Sequence, residues 1–241
     1  MIPDLSVVVL CYRSGEDARA FAASIAAALV GVGIVDYQLV LVGNYIAGSS
    51  DPTPEVVRDL AARDPRILCS AVPKEGMMGW DMRSGLALST GRVLAVIDGD
   101  GQVLVQDLVR TYQALVERGL DLTKTYRVKR GDGVRRKILS LGFNALFHLL
   151  FPGLKARDIN SKPKVMARSA YERLALQSDD WFIDAEIMIQ ARRLKFRIGE
   201  LETEFLGLDG RSSFVRLSAV AEFVRNLVRY RLLEFHRSAA R

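Results

Sequence analysis

The sequence predicts an α/β fold built on a doubly wound, mainly parallel central sheet flanked by helices. Two observations carry that expectation. Across the first hundred residues, short runs rich in Val, Ile and Leu alternate with stretches of helical length and helical spacing. The connections are rich in Gly, Pro, Ser and Asp and long enough for crossovers, so parallel neighbours are expected rather than hairpins.

The elements follow in order. "LSVVVLCY" reads as a buried first strand, and "EDARAFAASIAAALVGVG" as an Ala-rich helix ended by Gly31 and Gly33. "YQLVLVGNY" is a second strand; "GSSDPTPEVVRDLAARDP" is a turn, a Pro near a helix start and a short helix. "RILCSAV" is a third strand, "GWDMRSGLALSTG" a helix closed by Gly91, and "RVLAVIDGDG" a fourth strand. After another helix, "QDLVRTYQALVERG", the pattern changes. "LTKTYRVKRGDGVRRK" reads as a strand and a basic loop. "ILSLGFNALFHLLF" is a mostly apolar helix interrupted by Ser140, Asn144 and His148, a length suited to a buried or interfacial position rather than a membrane span. "INSKPKVMARSAYERL" and "DAEIMIQARRLKFRIGELETEFL" supply further strand and helix. "FVRLSAVAEFVRNLVRYRLLEF" closes the chain as an amphipathic helix with Leu217, Val220, Val224, Leu227 and Val228 on one side. With no internal repeat and no linker, residues 1–241 read as a single domain.

Composition narrows the classes. An apolar fraction of 49% over 241 residues suits a folded globule with a sizeable core. Cys11 and Cys69 sit in or beside apolar runs, the setting of buried free thiols and of a reducing compartment. The N-terminus lacks a basic leader pattern, and no apolar run reaches spanning length, so a cytoplasmic location is expected. The net charge of +6 is unevenly spread. Residues 124–137 hold seven Lys or Arg against one Asp, and residues 211–241 hold seven Arg against two Glu. Two concentrated basic segments imply an anionic partner such as phosphates or an acidic membrane surface.

The chemistry is expected at "IDGDGQ". In a parallel sheet, ligands bind beyond the carboxyl ends of the strands, and Asp98 and Asp100 fall at such an end. Two carboxylates at i and i+2 on an extended turn point the same way, and the Gly between them admits a bulky anion. Hard oxygen donors of this kind suit Mg2+ or Mn2+, which keep further positions for water and ligand phosphates. Gln102 adds a neutral oxygen on the same alternation.

The order of a Tyr-containing first turn, a Gly/Arg-bearing helix ahead of D-x-D-x-Q, a later D-x-E helix, "GE" and a strand resembles family 2 glycosyltransferases of the Rossmann-like GT-A fold. Within them it is most similar to the dolichyl-phosphate mannose synthase and polyprenyl-phosphate glycosyltransferase group, over roughly residues 5–215. The resemblance implies a nucleotide-sugar-binding half (1–120), an acceptor-binding half (121–215) and a basic C-terminal helix (216–241). It makes Asp98, Asp100 and Gln102 the holders of the divalent cation and the donor diphosphate. Tyr12, Glu16, Asn44 and Arg83 become further donor-site residues. Arg127, Arg136 and Ser140 become candidates for the acceptor phosphate, and Asp158, Asp184 and Glu186 become acids near the transferred sugar.

What the resemblance implies for function is an inverting, metal-dependent transfer of a sugar from a GDP- or UDP-linked donor to a polyprenyl phosphate at the cytoplasmic membrane face. Asp100 leads the metal site, and Asp158 and Asp184 are the other catalytic candidates. The first two loops, "LCYRSGED" and "VGNYIAGSSDPTP", depart from the family's P-x-Y-N-E and D-D-x-S-x-D, and these segments choose the base. The C-terminal R-x-x-G-x-S-K pattern is only loosely echoed by "LDGRSSF". A hydroxyl acceptor, as another glycan would offer, is the alternative, and it needs a base from Asp184, Asp158 or Glu186. A membrane-surface or nucleic-acid binding module on the same scaffold is disfavoured by the intact D-x-D-x-Q, so no nucleic-acid partner is expected. A nucleotidyltransferase is disfavoured by the absence of a Gly-rich N-terminal phosphate loop.

Overall fold

Every residue of β1 (Leu5–Leu10) is buried, which is why the sequence shows an unbroken apolar run there rather than an alternating one. The computed structural model describes residues 2–130, 134–205 and 222–232, with side chains for all of these but 129–130, 134–139 and 205. After β1 come α1 (Asp17–Gly31), β2 (Tyr37–Val42), α2 (Thr53–Arg63), β3 (Ile67–Ser70), α3 (Met78–Leu88), β4 (Val93–Asp98) and α4 (Val105–Arg118). Gly119, in the left-handed region at φ +58°, ends α4. The second half runs β5 (Leu122–Arg130), α5 (Val134–Leu150), β6 (Lys164–Ala167), the single turn α6 (Arg168–Tyr171), α7 (Ile183–Arg193) and β7 (Ile198–Phe205). Residues 222–232 are helical.

These strands make one seven-stranded sheet in the order β3-β2-β1-β4-β6-β5-β7. β1 pairs in parallel with both β2 and β4, and β2 with β3. The sheet is mainly parallel, as predicted, with one exception. β6 runs antiparallel to β4 on one side and to β5 on the other, while β5 and β7 are parallel. Because β2 and β4 flank β1, the strand order reverses at β1, and the crevice of a doubly wound sheet opens at its carboxyl end. There Leu10 lies opposite Asp98.

Alternate residues feed two apolar layers. Val8, Val40, Leu94 and Val96 pack beneath α3, α5 and α7 with Met82, Phe147 and Ile187. Val7, Leu39, Leu41 and Ile97 face α1, α2 and α4 with Ile25, Val57 and Leu108. Each such fully buried side chain contributes about 1.5–3 kcal/mol relative to exposure. The apolar stripe predicted for the C-terminal helix is split. Leu227 is fully buried beside Phe223 and Tyr230, whose rings lie 5.6 and 5.0 Å from that of Phe182, whereas Val224 and Val228 are 40% and 44% exposed. Adjacent helical positions differ by about 100°, so residues 227 and 228 face different surroundings. Leu217 and Val220 lie outside the described residues.

Candidate active site

The D-x-D turn leans directly on β1. The Gly99 N–H donates to Leu10 O at 3.0 Å, and Ser14 Oγ donates to Gly99 O at 3.1 Å. A Cβ on Gly99 would stand 3.0 Å from Leu10 O and 3.1 Å from a Val9 methyl, so a side chain there would have to push β1 away by a few tenths of an ångström. Gly101 takes φ +75°. Asp100 then folds back so that Oδ1 accepts the Gln102 N–H at 3.0 Å. Asp98, Asp100 and Gln102 are all partly exposed on this one turn, as the sequence predicts.

Beneath the turn is a feature the sequence did not announce. Antiparallel pairing sets Lys164 opposite Val96, which carries Lys162 to the level of Asp98. The Lys162 ammonium reaches Asp98 at 3.3 Å and Asp184 at 3.0 Å, and Lys164 reaches the other oxygen of Asp184 at 2.6 Å. Lys164 also donates to Ile159 O and Ser161 O, both at 2.9 Å, which fixes the approach to β6. Across the sheet from Lys164 stands Lys124, fully buried and paired with Glu200 at 2.9 Å. Burial works against each of these charges. For Asp184 it is outweighed by Lys162 and Lys164, and the carboxyl stays below its usual range. For Lys162, burial is outweighed by Asp184 and Asp98, and the ammonium holds its proton more firmly than usual. Lys164 falls to about 8, because burial and the neighbouring Lys162 and Lys124 outweigh Asp184.

The other predicted acids are equally engaged. Asp158 takes a two-pronged ion pair from Arg127, Nε to Oδ2 at 2.7 Å and Nη2 to Oδ1 at 2.9 Å. Glu186 accepts the N–H groups of Gln177 and Ser178 at 2.9–3.1 Å and the Tyr230 hydroxyl at 2.6 Å, tying the loop before α7 to the C-terminal helix.

Arg127, Asp158 and Ser140 line one cleft of about 160 Å³, together with Asn144 and Arg157. Two of the three predicted acceptor-phosphate residues are therefore brought together. Arg136 lies in the first turn of α5, and its side chain is outside the described residues. Arg157, missed by the sequence reading, adds a second guanidinium, held over the Tyr126 ring at 4.5 Å and bonded to its hydroxyl at 2.6 Å.

Of the remaining donor-site candidates, Tyr12 and Asn44 are linked through the buried ion pair of Lys74 and Asp81, while Glu16 and Arg83 make their contacts elsewhere. Tyr12 lies at the end of β1 with the Lys74 ammonium 4.4 Å above its ring. Glu16 precedes α1, 73% exposed, and pairs with Arg19. Asn44 is 1% exposed and uses its whole amide internally. It accepts from Ser70 Oγ and the Val72 N–H, and it donates to Asp81 and Ser84 at 3.0 and 3.1 Å, clamping β2, β3 and α3 together. Arg83 bonds Gln177 O at 3.1 Å and pairs with Asp179, which joins α3 to the loop before α7. That loop also caps α3, with Asp179 O accepting the Met77 N–H at 2.7 Å and Asp180 O the Gly79 N–H at 3.0 Å. The start of α3 is thus closed by the chain's own carbonyls.

The donor set at the turn fits a hard divalent cation. Asp98 and Asp100 supply carboxylate oxygens at the mouth of the crevice, the ligand type that Mg2+ and Mn2+ complete with water and phosphate oxygens. Among the described residues no group of three or more His, Cys, Asp or Glu is arranged to hold a metal, so a ligand's phosphates would complete the shell.

Comparison with known proteins agrees with this architecture. Residues 6–182 match the model of the family described as glycosyl transferase family 2. A dolichyl-phosphate beta-glucosyltransferase of Trichomonas vaginalis is 27% identical over 218 residues, covering 85% of this chain and 64% of that protein. A dodecaprenyl-phosphate galacturonate synthase of Rhizobium johnstonii is 28% identical over 179 residues, covering 73% of this chain and 51% of that protein. The chain therefore spans less than two thirds of the length of these relatives. Among solved structures, mannosyl-3-phosphoglycerate synthase of Rubrobacter xylanophilus superposes with a TM-score of 0.74 at 18% identity, over 98% of this chain and 75% of that one. Glucosyl-3-phosphoglycerate synthase of Mycobacterium tuberculosis, solved with Mn2+, UDP and phosphoglyceric acid, gives 0.69 at 19%, over 96% and 78%. At those identities the superpositions establish a shared fold, that of the GT-A glycosyltransferases. A family match covering most of the chain, on this fold and with D-x-D at the switch point of the sheet, establishes that the chain belongs to glycosyl transferase family 2.

Proposed function

We propose that the protein moves a sugar, with inversion, from a UDP- or GDP-linked donor to the phosphate of a polyprenyl lipid. The observation that carries the acceptor is the condition of the three acids a hydroxyl acceptor would need. Asp184 is locked between two lysines, Asp158 is clamped by Arg127, and Glu186 is filled by backbone N–H groups and a tyrosine. A hydroxyl nucleophile has to lose its proton to a base during attack. A phosphate acceptor arrives already ionised and needs none. The relatives named for dolichyl phosphate and dodecaprenyl phosphate support the same reading.

In this reading Asp98, Asp100 and Gln102 face the donor diphosphate. Mg2+ or Mn2+, held chiefly by Asp100, supplies positive charge against that growing on the leaving diphosphate. Arg127, Arg157 and Ser140 receive the lipid phosphate in their cleft, where guanidinium groups suit its oxygens. Arg136 is assigned to the same group from its place in the sequence. Among the described residues no helix is long and apolar enough to cross a membrane. On α5, which bears Ser140, Leu141 and Leu149 are 62% and 77% exposed, so this helix suits contact with the cytoplasmic membrane face where the lipid resides.

The test is transfer from radiolabelled UDP-glucose and GDP-mannose, with Mn2+, to a polyprenyl phosphate or to the matching polyprenol. Product is expected with the phosphate and not with the alcohol, and Asp100→Ala is expected to abolish it. Equal use of the alcohol would overturn the acceptor assignment.

A further inference from the structure

Arg157 is held at both its backbone and its guanidinium by one face of the β5–β7 ladder. Register sets Lys124 opposite Glu200 and Tyr126 opposite Glu202, and alternation along each strand puts the two pairs on the same side of the sheet. Glu200, paired with the buried Lys124 at 2.9 Å, accepts the backbone N–H of Arg157 at 3.0 and 3.1 Å. Glu202 accepts the Tyr126 hydroxyl at 2.5 Å. A hydroxyl has a single proton to give, so with that proton on Glu202 the oxygen is left to accept, and it accepts from the Arg157 guanidinium at 2.6 Å. The same guanidinium lies 4.5 Å from the centre of the Tyr126 ring. The two guanidinium groups of the cleft are therefore in different states. Arg127 bonds both oxygens of the Asp158 carboxylate, which offsets its charge. Arg157 bonds a neutral hydroxyl, and among the described residues no carboxylate pairs with it.

We infer that Arg157 supplies the charge that captures the acceptor phosphate and that Tyr126 is the positioning residue that aims it, while Arg127, balanced by Asp158, shapes the wall of the cleft. This rests on the reading of the acceptor as a phosphate. A surface arginine loses rotamer freedom when it grips an anion. One already laid over a ring and tethered by a hydroxyl has lost that freedom before the acceptor arrives, so more of the contact appears as affinity. Glu202 fixes the direction of the hydroxyl without pairing with the guanidinium itself, and the positive charge stays available for the phosphate oxygens.

Acceptor binding and acceptor kinetics of the full chain test this together. Farnesyl phosphate, a short soluble polyprenyl phosphate, is titrated calorimetrically into the wild type and each variant, with UDP and Mn2+ as a control of the donor half and the melting temperature as a control of folding. KM and kcat are measured with a longer polyprenyl phosphate. The wild type is expected to bind farnesyl phosphate and not farnesol. Arg157→Ala is expected to weaken farnesyl phosphate binding by at least about tenfold. Tyr126→Phe keeps the ring and loses the hydroxyl; it is expected to weaken binding by about threefold to tenfold, raising the acceptor KM while kcat and the UDP affinity stay within about twofold. In the Arg157→Ala background the same tyrosine change is expected to add nothing, because Tyr126 acts only through Arg157. A tyrosine with a merely structural role would lower the melting temperature and the UDP affinity in both backgrounds. Wild-type affinity for farnesyl phosphate in folded Arg157→Ala, or a full further loss from Tyr126→Phe in that background, overturns the inference and leaves the phosphate acceptor standing. Neither binding nor use of the phosphates by the wild type overturns both.

Discussion

The two halves of the sheet are held together by different physics. From β1 to β4 the strands are parallel, their interior positions are almost wholly aliphatic, and the ends are tied by backbone bonds such as Gly99 to Leu10. From β6 to β7 the sheet contains a reversed strand, and the buried Lys124, Lys162 and Lys164 are paired with the partly exposed Glu200 and Asp98 and the buried Asp184. Hydrocarbon burial is forgiving, because neighbouring side chains relax around a change. A buried charge is not, because removing one partner strands the other in a medium that cannot solvate it. The crevice sits at the seam, and Asp98 belongs to both halves.

The largest expected effect tests that contrast directly. Asp184→Asn leaves two lysines with too little negative charge and should cost about 3–5 kcal/mol in urea unfolding. Leu94→Ala in the aliphatic half should cost about 2–3 kcal/mol, toward the lower end of such truncations if the site collapses well. A smaller loss for Asp184→Asn than for Leu94→Ala would break the comparison.

An intermediate effect comes from pH. Lys164 titrates near 8 in the fold against 10.5 when exposed, chiefly because burial disfavours its charge. Between those values the unfolded chain keeps a proton the fold has lost, so stability should rise with pH, by about 1 kcal/mol from pH 8 to 9. Lys124, lowered chiefly by burial, acts in the same sense, whereas Lys162, raised above its ordinary value by Asp184 and Asp98 against its burial, has little effect from pH 8 to 9 and opposes the rise as pH nears 10.5. Above pH 9 the rise should be opposed by Cys11, whose thiol burial pushes from 9.0 to about 12, so that only the unfolded chain ionises. Urea midpoints at half-unit steps from pH 7 to 10 measure this, and Lys164→Met should flatten the rise. A flat wild-type curve would show that the lysines do not feel their burial.

The smallest effect lies at the rim. Tyr126 donates to Glu202 and accepts from Arg157, but all three groups face solvent. Tyr126→Phe should therefore cost less than about 1 kcal/mol in urea unfolding. A larger loss would mean that the charged half depends on its exposed contacts as well as its buried ones.

Legibility in the sequence followed the same division. β1 to β4 announced themselves because a strand buried on both faces has to be a continuous apolar run, and the D-x-D turn stood out because its residues are adjacent. β6 did not. Four residues, "KVMA", give no sign of direction, and lysines at 162 and 164 look like any solvated pair. Their partners lie 64 and 20 residues away, and only the reversed pairing of Val96 with Lys164 brings them together. Asn44 is a different case: the family resemblance makes it a donor-site residue, and only the fold shows that β3 and α3 close over it and occupy its amide. The loop-bound Arg83 could not be anticipated either, because Asp179 is 96 residues distant.

By itself the sequence determined the α/β class, the parallel half-sheet and the position of the D-x-D turn at its carboxyl edge. These depend on periodicity and on neighbours a few residues apart, which local sterics and hydrophobic patterning specify. Tertiary structure alone decided which charges are spent. Whether an acid is a free base, a metal ligand or the counter-ion of a buried lysine depends on what an antiparallel strand and a distant helix place within about 3 Å of it. Coulomb interactions in a buried site are decided at that range, and no spacing along the chain encodes it.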